Sequence, residues 1–470
     1  MKKRMRVLMA GICLLAGLGI STEYAGAERK SAPSISAEAG CVIDVQSGAV
    51  LYDKNMNKRE YPASITKIMT TLVALENCSL SEEVEYGKSA FANWEPGASN
   101  ASIEVGEKIN MKESLYAVML ASANEACNGV ADHIAGSIDA FVGKMNEKAQ
   151  SLGCKNTHFA NTNGLWKKDH YTTAYDMALI GRAAIQNKDF KEITGTRLFI
   201  MSKTNKRKAG YPLACHHKML NPGDYPQYEY EYCEGGKTGY TSKCRNTLVT
   251  FAKKGNMELV CVILKCDNSV WLEPNAYTDT TRLFNYCFAN YEKTSIQQDM
   301  ASDINEQYLF TKFSPFYSKS TSSLHIEEEA GIILPKGVTA DKAEKKVEYF
   351  DQPQELNGKK VIGRLSYVYK NQEVGGSNIY FEDNDSLTLK DSIDMSKWFD
   401  EAIEVAKKEP FPWKKCILVI ILAGCVLGLS IICFIKVRAY QVKTEGRIRF
   451  KKGRHKMKNR ERDFYTRRLK

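Results

Sequence analysis

The sequence predicts an α+β fold, with an antiparallel five-stranded sheet flanked by helices. Two observations carry this. Five apolar segments of strand length are split between the two ends of one long region, at residues 41–45 and 49–53 and again at 237–241, 247–252 and 258–265. The stretch between them instead repeats its apolar residues at helical spacing, with capping residues at the starts. Strands and helices segregated in this way point to helices on an antiparallel sheet, not to alternating βα units.

Taken in order, residues 41–45 and 49–53 make a hairpin around Gln46-Ser47-Gly48. Pro62-Ala63 opens a helix whose face carries Ile65, Ile68, Met69, Leu72, Val73 and Leu75. Segments 114–120 and 125–134 are helical around a break at 121–124. Ser137 is an N-cap for 138–151, where Ile138, Phe141, Met145 and Ala149 share a face before Gly153 stops the helix. Thr173 with Asp176 opens another helix, through Ile185. After Gly235-Gly236 come three strands, the last two joined by a Lys-Lys-Gly-Asn turn, and then a helix over 277–291. From 304 to 385 cysteine disappears and short β-rich segments follow at 330–334, 345–350, 360–369 and 378–381, a pattern of a small β-sandwich. Residues 386–413 form a helical linker, with 396–408 as its helix. No internal repeat is visible.

The chain has 470 residues, 43% of them hydrophobic and 26% charged, with 12 Pro and 32 Gly, which excludes a disordered, collagen-like or low-complexity protein. Its net charge of +11 is concentrated at the ends. Residues 436–470 carry +12 and residues 1–27 carry +3, which leaves −4 for residues 28–435. A nucleic-acid partner is therefore not expected. Met1–Arg6 is basic, residues 7–20 are apolar, and Ala25-Gly26-Ala27 offers small residues for cleavage, so residues 1–27 read as a signal peptide. Residues 416–435 are twenty uncharged residues, long enough for one transmembrane helix. Trp413 flanks them, and the basic tail 436–470 that follows is cytoplasmic by the positive-inside bias. The expectation is a single-pass membrane protein with its body, 28–413, outside the cell. Of 14 Cys, ten lie between Cys41 and Cys287, without CxxC or paired metal spacing. Disulfides and buried free thiols are both compatible with that. Cys215-His216-His217 has no second ligand cluster, so no metal or other cofactor is expected.

Three short motifs carry the chemistry. Ser64-Ile-Thr-Lys67 places a hydroxyl and an amine on the same side of a helix, one turn apart. A serine hydroxyl becomes a nucleophile when an adjacent base takes its proton, and a lysine serves as that base when its amine is held neutral. Ser122-Ala123-Asn124, at the break between helices, can aim a hydroxyl and a carboxamide into a cleft. Lys237-Thr238-Gly239 lies on a strand; its Lys and Thr suit a carboxylate, and the missing Cβ of Gly239 lets a substrate approach the strand edge. Singly, each has a bland reading: a helix start with a solvated lysine, a helix cap, and a polar strand patch.

Together, in the order helix, loop and strand, they resemble the penicillin-recognising serine enzymes. The flanks narrow the likeness: Pro62-Ala-Ser-Ile-Thr-Lys-Ile-Met-Thr70, Gly106-Glu107, Ala121-Ser-Ala-Asn-Glu125, Phe159-Ala-Asn-Thr-Asn-Gly-Leu165, Thr172-Thr-Ala-Tyr-Asp-Met177 and Gly236-Lys-Thr-Gly-Tyr-Thr241. These look like the low-molecular-weight penicillin-binding proteins, the serine-type D-alanyl-D-alanine carboxypeptidases. The resemblance covers about residues 35–295, and more weakly 304–385. It implies a penicillin-binding/β-lactamase-like catalytic domain over 28–295. It also implies removal of the terminal D-alanine from the peptidoglycan stem peptide, and covalent trapping by β-lactams. By motif, Ser64 is the nucleophile and Lys67 its base. Ser122 relays a proton, and Asn124 positions substrate and Lys67. Lys237 and Thr238 bind the terminal carboxylate, with the Lys237 charge helping to keep Lys67 neutral. The N–H groups of Ser64 and Tyr240, beside Gly239, form the oxyanion hole. Ala123 stands where Gly is common, and residues 267–278 lack the Arg that some members use for the carboxylate. A β-lactamase-like enzyme would need a deacylating Glu that 161–165 does not offer. The same motifs are also compatible with a catalytically weak wall-binding scaffold or a DD-endopeptidase.

Overall fold

The computed structural model describes residues 31–92, 95, 97–270, 273–296, 324–327, 330–356 and 359–381, all within a first compact unit that ends at Asn384. The expected signal peptide, linker, membrane span and basic tail lie outside the described residues. No described helix is long and apolar enough to cross a membrane.

Strands β1 (Ala39–Asp44) and β2 (Val50–Lys54) form the expected hairpin. A 3-10 turn at Ala63–Thr66 leads into α1 (Lys67–Asn77). The ribbon β3 (Glu83–Glu85) and β4 (Lys108–Asn110) precedes α2 (Met111–Met119), α3 (Asn124–Ala135), α4 (Ile138–Ser151), α5 (Ala174–Ile185) and α6 (Lys188–Gly195). A second ribbon, β5 (Leu198–Met201) with β6 (Tyr211–Ala214), leads to the meander β7 (Cys233–Thr241), β8 (Arg245–Lys254) and β9 (Met257–Cys266). A short pair, β10 (Asn268–Val270) and β11 (Glu273–Pro274), precedes α7 (Asn275–Asn290).

The main sheet has the expected five strands, antiparallel throughout, in the order β2-β1-β9-β8-β7. Strand β9 lies at its centre and is buried on both faces, which explains the unbroken apolar run from Leu259 to Leu264. Val260, Val262 and Leu264 face the core beneath α1–α6, and Leu259, Cys261 and Ile263 face a second core under α7. The ten cysteines from Cys41 to Cys287 are all unpaired thiols.

Helix α7 ends at Asn290 and the chain passes straight into β12 (Tyr291–Ser295), which pairs with β14 (Gly331–Pro335). With β13 (Leu324–His325), β15 (Glu344–Leu356), β16 (Lys359–Tyr369) and β17 (Gln372–Phe381) they form one six-stranded sheet. Two facing sheets were expected for a sandwich. Among the described residues there is instead this single antiparallel sheet, coiled by bulges around a core of Ile296, Ile332, Leu334, Ile362, Leu365 and Ile379. Its strand β12 comes from the segment that the sequence assigns to the preceding domain.

Candidate active site

Helix α1, the break before α3 and edge strand β7 bring the three motifs to one cleft. The Lys67 ammonium nitrogen lies 3.0 Å from Ser64 Oγ, 2.8 Å from Asn124 Oδ1 and 2.7 Å from the Asn163 carbonyl, donating to the latter two. Lys237 Nζ donates to Ser122 Oγ at 3.0 Å and to the Thr238 carbonyl at 3.0 Å. Ser64, Ser122, Thr238, Gly239 and Tyr240 line a cavity of about 400 Å³, which His216, Lys218 and Tyr277 continue.

Left-handed backbone occurs at Ser122 and immediately before Ser64. Ala63, just before the nucleophile, has φ +52°, and Ser122 has φ +56°. Side-chain-bearing residues in this left-handed region cost on the order of 1–2 kcal/mol each. The turn at Ala63 is held from behind. His170 accepts the Ala160 N–H at Nδ1 (3.0 Å), so its Nε2 carries the proton and donates to Thr66 Oγ1 (2.8 Å). The Thr66 hydroxyl in turn donates to the Ala63 carbonyl (2.8 Å). Burial pushes the His170 imidazole down to about 3, which keeps it neutral in this chain of bonds. Thr66→Val would leave the His170 Nε2–H without a partner in a buried site and take the hydroxyl donor from the Ala63 carbonyl. The expected loss is about 2 kcal/mol in urea unfolding, with slower acylation of Ser64. Unchanged stability would show that the chain of bonds does not hold the turn.

Gly239 has a tighter reason to be glycine than substrate approach. A Cβ there would lie 2.4 Å from Thr247 Oγ1, 2.9 Å from the Ser64 nitrogen and 3.1 Å from Ala63 Cβ. Strand β7 thus packs directly on the nucleophile turn. Gly239→Ala is expected to displace Ser64 and slow acylation at least about 100-fold, the scale of a 1 Å misplacement of a reacting group. Acylation at the native rate would contradict that packing argument.

Lys67 and Lys237 are both fully buried, and among the described residues neither is paired with a carboxylate. Burial lowers the Lys67 amine, against the opposing pull of Cys127 and Glu125. Burial, and then the charge of Lys67, push Lys237 down to about 7. The expected dependence of Lys67 on Lys237 is thus secondary. Withdrawal from water is the leading cause for both amines, and the repulsion between the two cations adds to it.

Sequence reasoning placed Ser64, Lys67, Ser122, Asn124, Lys237, Thr238, Gly239 and Tyr240 in one site, and the fold brings all eight together. It missed Asn163, Thr66 and His170. The loop around Asn163 is pinned by Thr70, whose hydroxyl donates to the Thr162 carbonyl (2.5 Å), and by a Thr162–Asn128 bond (2.6 Å). Away from the cleft, Cys78, Glu82 and His133 bring three ligand-type atoms within 4.8 Å of one another. There His133 and Glu82 already pair at 3.1 Å.

A serine and a buried lysine sharing a hydrogen bond, with a Ser–Lys pair opposite, define a serine acyl-transfer enzyme that uses lysine as its base. The family profile described as D-alanyl-D-alanine carboxypeptidase matches residues 26–268, and the chain belongs to that family. It is 34% identical over 298 residues to the D-alanyl-D-alanine carboxypeptidase DacF of Bacillus subtilis, over 62% of this chain and 72% of that relative. It is 28% identical over 398 residues to DacC of Escherichia coli, over 79% of this chain and 93% of that one. Among solved structures, a Mycobacterium tuberculosis D-alanyl-D-alanine carboxypeptidase superposes with a TM-score of 0.51 at 28% identity, covering 56% of this chain and 95% of its own. The Streptomyces K15 DD-transpeptidase superposes with a TM-score of 0.50 at 28% identity, covering 55% of this chain and all of its own.

Proposed function

We propose that the protein is a serine D-alanyl-D-alanine carboxypeptidase that removes the terminal D-alanine from peptidoglycan pentapeptides through an acyl-enzyme on Ser64. The observation that carries this is the Lys67 amine, buried, 3.0 Å from Ser64 Oγ and fixed by Asn124 and the Asn163 carbonyl. Ser64 Oγ attacks the penultimate D-alanine carbonyl and its proton passes to Lys67 Nζ. The N–H groups of Ser64 and Tyr240 stabilise the oxyanion, an effect worth about 3–4 kcal/mol per donor in such sites. As the C–N bond breaks, the leaving amine takes the Ser122 proton, which Lys67 replaces. Water then hydrolyses the ester. Lys237 and Thr238 bind the terminal carboxylate.

A β-lactam offers a carbonyl of similar shape but keeps its leaving amine tethered, so its ester persists. The charge and hydropathy of the ends support export by residues 1–27 and anchoring by 416–435, with the catalytic region outside and the tail 436–470 in the cytoplasm. Incubation with a synthetic pentapeptide tests the reading through released D-alanine, with a cross-linked dimer substrate beside it. Cleavage of the dimer alone would make the protein an endopeptidase, and no release from either would end the proposal.

A further inference from the structure

An aromatic and cationic surface stands beside the nucleophile that the chemistry above does not use. Tyr61 precedes Ser64 by three residues, and Trp166 follows the Asn163 loop by three. Their rings meet edge to face at 6.1 Å. The Lys243 ammonium, in the turn after β7, lies 5.9 Å from the Trp166 ring centre. Trp166 is 45% exposed, an unusual state for so large an apolar ring. Lys167 and Lys168, which follow it, are exposed as well. Among the described residues none of Lys167, Lys168 and Lys243 pairs with a carboxylate side chain, although Lys167 Nζ donates to the Ala160 carbonyl at 3.1 Å, and Asp169 is the acid nearest in sequence. Neither Tyr61, Trp166 nor Lys243 lines the cavity that holds Thr238, His216 and Lys218.

The direction of β7 says what would lie there. It is an edge strand, so an extended peptide can run along it. With the peptide's carboxylate at Lys237 and Thr238, and its scissile carbonyl at Ser64 and Tyr240, the chain continues past Thr241 toward the turn that bears Lys243. At about 3.4 Å per residue, the residue on the amino side of the D-Ala-D-Ala pair reaches that turn. We infer that Tyr61, Trp166 and Lys243 form a subsite for this third residue from the carboxyl end, and that it selects a side chain with an aliphatic stem and a terminal carboxylate. The stem lies on the Trp166 ring and the carboxylate meets the Lys243 ammonium. This inference rests on the carboxypeptidase reading.

The test compares two pentapeptides, L-Ala-γ-D-Glu-X-D-Ala-D-Ala, with X either meso-diaminopimelate or L-lysine, on the full chain. The wild type is expected to favour diaminopimelate about fivefold in kcat/KM, through KM, as an exposed charge pair allows. The preference should shrink as salt is added. Lys243→Ala is expected to bring the ratio close to one. Trp166→Ala is expected to raise KM for both peptides, with penicillin acylation of Ser64 confirming that each variant is folded. Equal rates on both peptides in the wild type, or a preference that survives Lys243→Ala, would overturn the subsite and leave the carboxypeptidase reading standing. No D-alanine from either peptide would overturn both.

Discussion

Ser64→Ala is expected to lose both D-alanine release and the penicillin adduct while keeping its fold. Ser64 is partly exposed, and its hydroxyl's bond is to the Lys67 nitrogen, which retains Asn124 and the Asn163 carbonyl when the hydroxyl is gone. The substitution therefore removes the reacting atom and leaves no buried amine without partners. Loss of a serine nucleophile lowers turnover on the order of 10⁶-fold in comparable enzymes, because no other group can form the acyl intermediate. Intact-mass spectrometry after penicillin should show one adduct in the wild type, within the peptide from Tyr61 to Lys67, and none in the variant. An adduct on another residue, or D-alanine release that survives Ser64→Ala, would remove Ser64 from the mechanism.

The chemistry was legible because its groups are side chains in fixed local spacing. Ser64 and Lys67 are one helical turn apart, and Lys237 and Gly239 share one strand, so each motif is complete within a few residues. What supports them was not. The Thr66–His170 bond joins residues 104 positions apart, and the Asn163 acceptor is a main-chain carbonyl, which every residue possesses. The left-handed backbone at Ala63 and Ser122 is invisible for a related reason, since neither residue type favours it. Among the elements, Ser137 and Thr173 cap α4 and α5 as read from sequence, accepting from Ala140 and Asp176. Helix α6 was missed although Asn187 caps it, because eight residues give periodicity little room. The sequence suggests a strand only from 378, after Gly375-Gly376, yet β17 runs from Gln372. Those glycines allow close approach of a neighbour: a Cβ on Gly375 would lie 2.5 Å from the Gly331 carbonyl. The sequence shows a pair of turn residues, and only the packing shows why they belong inside a strand.

The dependence of kcat/KM on pH should be bell-shaped, with the two buried lysines setting its limbs. On the acid side the lowered Lys67 amine takes up a proton and can no longer accept that of Ser64, so the rate falls as pH falls. Lys67→Ala, which removes the base altogether, is expected to lower kcat about 10³-fold. On the alkaline side Lys237, its amine lowered by burial, loses its charge before substrate arrives, and carboxylate binding weakens. A bound carboxylate favours the charged amine, so the alkaline limb of kcat should lie higher than that of kcat/KM. Lys237→Ala should lower kcat/KM at pH 6 and abolish the alkaline limb. It should move the acid limb upward only slightly, because burial, the first cause of the Lys67 shift, persists. The same lowered amines act on stability. Between about 7 and the ~10.4 of a free lysine, the unfolded chain binds a proton that folded Lys237 does not. Stability should therefore rise with pH across that window, and Lys237→Ala should flatten the rise. An alkaline limb unchanged in Lys237→Ala would assign that titration to another group and leave Lys237 no part in the pH dependence.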